Sequence, residues 1–291
     1  MSILNKISKT TLVVSSGLVG LIVAALPGEA ATFATSNSFF SFGNFSQTPA
    51  SVSSSTDSDT TSISSGAGSV LTEAEASAFF DRDPAFSGNT TVSEAFGEGL
   101  NYLGLAESEA SVLGQFEVAA NTNFTFDFTG FLELFTSIDD PLSEQAQATA
   151  GITFALLDEA ATVLSSFELF GTLSTSGKAD DLFVESTPDL DWDITDAEFV
   201  SGPDLLAEQA FVEVFGSYAQ QFTTAQQLTL VELKLSEAFV AAEPAAQTPE
   251  PGTLLAVISL GGAAWKLRNN KSRAAKPVGR SGLDTVTERL A

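Results

Sequence analysis

The chain has 291 residues, with 37 Asp and Glu against 12 Lys and Arg, a formal charge of −25, and neither Cys nor His. That composition excludes disulfides, thiol catalysis, zinc held by His or Cys, and any triad needing an imidazole base. It also argues against nucleic acid or an anionic membrane surface as a partner, since both require a basic face.

At the N-terminus, Lys6 and Lys9 precede an apolar run from Leu12 to Leu26, then Pro27, Gly28, Ala30 and Ala31. This is the order of a secretory signal peptide, and cutting after Ala30 puts small residues at both positions that need them. Residues 31–248 then hold only Arg82, Lys178 and Lys234 against 33 Asp and Glu, a charge of −30. The 24 Phe, against two Trp and two Tyr, predict a Phe-rich core rather than a sugar-stacking Trp platform.

Phe33–Phe45 reads as a first or edge strand, and 47–69 as a Ser/Thr-rich loop or edge. Leu71–Phe80 has the texture of a short helix; Asp81–Asp83 and Asp139–Asp140 read as turns. Val112–Val118 predicts a strand, followed by a turn at Ala119–Asn123. Phe124, Phe126 and Phe128 then alternate with Thr125 and Asp127, so the two runs predict a β-hairpin, with Gly130 interrupting the second. Further strands are expected at Phe131–Ser137, Gly151–Asp158 and Thr162–Thr175, the last two joined by a turn at Asp158–Ala161, with a bulge at Gly171. Asp204–Ala210 reads as a second short helix, and Phe211–Phe222 and Gln227–Phe239 as long strands. In the last, Thr229, Val231, Leu233 and Leu235 share one face, and Leu228, Leu230, Glu232 and Lys234 the other. Many strands between turns predict an all-β fold, an antiparallel β-sandwich or jelly roll.

The densest acidic segment is Asp180–Glu198. It reads as a solvated loop. Alternatively, Asp189, Asp191, Asp193 and Asp196 offer hard oxygen ligands to Ca²⁺, although the glycine of an EF-hand loop is missing. No other cofactor is expected.

The C-terminus reads Pro249-Glu250-Pro251-Gly252, then an uncharged apolar run to Trp265, then Lys266, Arg268, Lys271, Arg273 and Lys276. As a helix, 252–265 would span about 21 Å, short of the roughly 30 Å hydrocarbon core. The Lys and Arg after it are expected to stay in the cytoplasm as a basic stop, with 277–291 as a disordered cytoplasmic tail.

The ordered triple of Pro-Glu-Pro motif, apolar helix and basic cluster resembles the PEP-CTERM sorting domain of exported bacterial proteins. The resemblance covers about residues 248–276, and the chain runs further past the basic cluster than that family usually does. It implies handling by the secretion machinery and signal peptidase, and cleavage near Pro249, Glu250 and Pro251 by an exosortase-type protease. The membrane would hold the C-terminal helix at least transiently. The exported part, 31–247, is then expected at the outer surface or in the extracellular matrix. Its expected role is structural or adhesive and not enzymatic. The alternatives are a module that binds extracellular polysaccharide or Ca²⁺, and a secreted glycan hydrolase using paired carboxylates. Asn44-Phe45-Ser46, Asn89-Thr90-Thr91 and Asn123-Phe124-Thr125 match the N-glycosylation pattern, which in a bacterial chain is expected to carry no sugar.

Overall fold

A computed structural model describes residues 31–243 apart from 176–179 and 203–204. The signal peptide with Ala30, the Pro249-Glu250-Pro251 motif and the basic stop lie outside the described residues. Ala31, the first expected mature residue, begins the first strand.

Among the described residues, twelve strands form two six-stranded antiparallel sheets. In chain order they are β1 (Ala31–Gly43), β2 (Ser51–Ser64), β3 (Ser69–Arg82), β4 (Ala85–Glu98), β5 (Tyr102–Val118), β6 (Thr122–Ser137), β7 (Glu144–Leu157), β8 (Val163–Thr175), β9 (Asp181–Ser186), β10 (Leu190–Val200), β11 (Ala207–Phe222) and β12 (Gln226–Ala242). The first sheet has the order β10-β11-β6-β1-β4-β3 and the second β2-β5-β12-β7-β8-β9. The all-β antiparallel two-sheet expectation is met. No helix among the described residues is long and apolar enough to cross a membrane.

Alternation within the strands explains the layering. Phe124, Phe126 and Phe128 on β6, and Phe40 and Phe42 on β1, are buried between the sheets, while their sequence neighbours face outward. They join Phe116, Phe154 and Phe167 in one aromatic core. A smaller, Ala-rich cluster at the other end of the sandwich contains Ala34, Ala95, Tyr102, Ala146, Ala238 and Ala242.

Several local expectations are corrected. Leu71–Phe80 and the stretch leading into Ala210 are strands, not helices, because both lie in ladders whose partners supply the missing backbone hydrogen bonds. Phe33–Phe45 forms the first strand but not an edge, since β1 lies between β4 and β6. Of the two readings of residues 47–69, the edge holds and the loop does not: most of the stretch is β2, the edge strand of the second sheet. The tight turn between β5 and β6 does hold Asn121 at positive φ, yet the two strands are not a hairpin. They belong to different sheets, so their apolar faces meet across the interior, with Phe116 and Phe124 rings 4.9 Å apart. The β7–β8 hairpin forms as expected. Its irregularity lies at Leu156/Leu157 and not at Gly171, which stays in regular register with Ala150 and Leu182.

Candidate functional site

Two places on the domain concentrate chemistry. The first is the outward face of the first sheet. Its strands present carboxylates at alternate positions: Glu73 and Glu75 on β3, Glu94 on β4, Glu133 on β6 and Glu213 on β11. Glu94 stands directly opposite Glu73, and partial burial followed by repulsion from Glu73 and Glu75 raises its pKa. Between the acids lie rings: Phe39 over Phe131 at 5.9 Å, Phe33 beside Phe135 at 6.0 Å, and Phe131 beside Phe211 at 6.3 Å. Phe215 and Phe79 are 53% and 45% exposed, unusual for so large an apolar side chain.

The four candidate Ca²⁺ ligands border this face. They are not in a loop: the acidic segment builds β9, a turn and edge strand β10, whose backbone pairs with β11. Asp189 sits in the turn. Asp191 and Asp193 point outward opposite Ser217 and Phe215. A register shift between Ile194 and Asp196 makes Thr195 an extra residue, so Asp196 faces outward too, opposite Glu213. The aspartates are thus strung along one strand edge. Among the described residues no three acidic side chains gather closely enough to hold a metal ion. Of the three Lys and Arg in 31–248, the described residues contain Arg82, at the end of β3, and Lys234, which is buried.

The second place is inside. Between the aromatic and Ala-rich clusters runs a band of polar side chains. Ser38, Thr91 and Ser236 share hydrogens at 2.7 and 2.8 Å, and Ser93 meets Ser108 at 2.9 Å. At the aromatic edge of this band stand Glu232 and Lys234 on β12 and Asn89 on β4. Glu232 and Lys234 have no exposed surface, and Asn89 is 2% exposed. The Asn89 side-chain amide donates to Glu232 Oε2. Lys234 Nζ donates to the Asn89 main-chain oxygen at 2.8 Å and lies 5.7 Å from the centre of the Phe39 ring. Asn89 Oδ1 and Glu232 Oε1 are buried without a partner. Burial raises the Glu232 pKa, partly countered by Lys234 and the Asn89 bond. The same burial lowers that of Lys234, partly countered by Glu232. Both shifts favour the uncharged forms.

Sequence reasoning placed Glu232 and Lys234 together on one strand face but did not assign that face to the interior. Leu233 and the 41% exposed Leu235 take the outside instead. Asn89 appeared only as a glycosylation acceptor, which its burial rules out. One signal was legible: Lys234 is among only three basic residues in 31–248 and follows Glu232 at strand spacing. Comparison with known proteins finds no matching family model, no similar characterised protein and no similar solved structure.

Proposed function

We propose that this is an exported, non-enzymatic domain with a structural or adhesive role at the cell surface or in the extracellular matrix. Export and membrane passage would be directed by the signal peptide and the PEP-CTERM-like tail, with an exosortase-type protease as processing partner. The observation that carries the reading is the outward face of the first sheet. It has carboxylates and half-exposed phenylalanines across its width, and of the two described Lys and Arg, Arg82 lies at the end of β3 and Lys234 is buried. Such a surface suits contact with hydrated polymer and cations, and repels anionic lipid and nucleic acid. Mass spectrometry of the two chain ends, from native envelope and medium, tests it. A chain from Ala31 to near Pro249 is expected outside the cell. Confinement of an unprocessed chain to the cytoplasm overturns it.

A second reading, Ca²⁺- or polysaccharide-linked recognition, is favoured by the bulge that aligns Asp196 with Asp191 and Asp193. Melting in Ca²⁺ and in EDTA separates the two: a specific ligand of the folded state raises Tm in a saturable way. An equal effect of Mg²⁺ and Ca²⁺ removes it.

A further inference from the structure

The Glu232–Asn89–Lys234 centre has no route for an outside substrate, yet it contains a complete set of reactants. Lys234 supplies an amine and Asn89 a carboxamide; the residue 89 main-chain oxygen holds Nζ beside that residue. Glu232 supplies a carboxyl group that already accepts a hydrogen bond from the amide nitrogen. The amine and the amide come from facing sheets.

The two orphan atoms point to the protonation state. A carboxylate with a free Oε1, next to an amide with a free Oδ1, leaves two buried acceptors without a donor. One proton on Glu232 supplies that donor. The apolar neighbours act in the same direction. Phe154 is directly opposite Glu232 and Ile152 directly opposite Lys234 in the β7–β12 ladder, while Phe40 is opposite Asn89 in the β1–β4 ladder. An uncharged amine keeps its lone pair, and an undissociated carboxyl can protonate an amide oxygen. Water, the competitor that would hydrolyse the amide, is excluded from such a site.

We propose that Lys234 and Asn89 join by an intramolecular amide bond, with Glu232 moving the protons. Lys234 Nζ attacks Asn89 Cγ, and the Glu232 carboxyl protonates Oδ1 as the tetrahedral intermediate forms. Glu232 then takes a proton from Nζ and delivers one to Nδ2. The Cγ–Nδ2 bond breaks and ammonia leaves; the Oδ1 proton returns to Glu232 as the carbonyl re-forms, and the neutral Cγ–Nζ amide remains. One C–N bond replaces another; nothing is oxidised or reduced, and Glu232 ends as it began. The product staples β4 to β12, closing a loop of 145 residues in a chain without cysteine.

The test is mass spectrometry of the folded full chain. The expected intact mass is lower than the sequence of that chain requires by one molecule of ammonia. Proteolysis is expected to release a branched peptide joining residue 89 to residue 234. Lys234→Arg and Asn89→Ala restore the full mass, and folded Glu232→Gln retains it as well. A full mass in the folded wild-type chain overturns the proposal. So does an ammonia loss without the branched peptide, which marks cyclisation of an asparagine elsewhere. The wild-type result stands even if a variant fails to fold.

Discussion

Gly130 lies directly opposite Phe40 in the β1–β6 ladder, and the Phe40 ring fills the space where a Cβ at position 130 would stand. The glycine does not interrupt the strand, contrary to what its sequence context suggests; β6 continues through it to Ser137. Its missing side chain is what admits the ring. A Cβ there would also lie 3.1 Å from the Phe39 carbonyl oxygen, on backbone that cannot yield cheaply. Gly130→Ala is expected to destabilise the fold by about 1–3 kcal/mol, read as a lower denaturant midpoint. Adding Phe40→Leu should recover part of the loss, because the smaller side chain vacates the clash.

Phe154 is the hub of the aromatic core, with Phe40, Phe42, Phe126, Phe128 and Phe167 all 5.1–6.1 Å away. Phe154→Ala should cost about 3–5 kcal/mol, visible in urea unfolding. A loss below about 1 kcal/mol would mean that the rings rearrange to fill the space.

These two positions show what the sequence makes legible. Period-two phenylalanines announce the core strands directly, because the strand repeat is also the packing repeat. Which sheet a strand joins is not encoded locally. The β5–β6 turn has hairpin chemistry at Asn121, yet its strands join different sheets, and Phe116 and Phe124 meet across the interior. Helical texture at Leu71–Phe80 loses to ladder pairing with β4. The acidic stretch around Asp191 hides strand β10, since an edge strand with a solvated face needs few apolar residues. The interior position of Lys234 depends on what β4 offers from the facing sheet, which no window on β12 contains.

Glu237 is directly opposite Glu107 across the β5–β12 ladder, and Glu107 in turn faces Asp59 on β2. Burial, reinforced by Glu107, lifts the Glu237 pKa from 4.5 to about 7. The folded state therefore holds a proton that the unfolded chain releases. This contribution to stability is complete below pH 4.5 and is lost as pH rises through about 7. Melting curves should show stability falling over that window by on the order of 2–3 kcal/mol. Glu237→Gln should flatten the decline and raise Tm at its alkaline end. An unchanged pH profile in the variant would contradict this assignment.

Repulsion along β10 should respond to salt. Asp191, Asp193 and Asp196 face outward near Glu213, and exposed charges of this kind are screened within about 10 Å at 0.1 M ionic strength. Adding NaCl should raise Tm of the native chain. The triple change to Asn should raise Tm at low salt, by about 1 kcal/mol or less in stability, and shrink the salt response. A larger salt response in the triple variant would refute the repulsion.

Strands β1 and β12 are both central, and the chain enters β1 and leaves β12 at the same, Ala-rich end of the sandwich. Along its whole length β12 is laddered to β5, and from Thr229 onward also to β7. A pull on the chain at Ala242 therefore runs along the strand axis. It loads two ladders in shear at once, so hydrogen bonds must fail together rather than open one by one. The turns joining β5 to β6 and β11 to β12 lie at the far end, outside the path of that force. A domain loaded at Ala242 is expected to resist traction there while leaving its distal loops free to change.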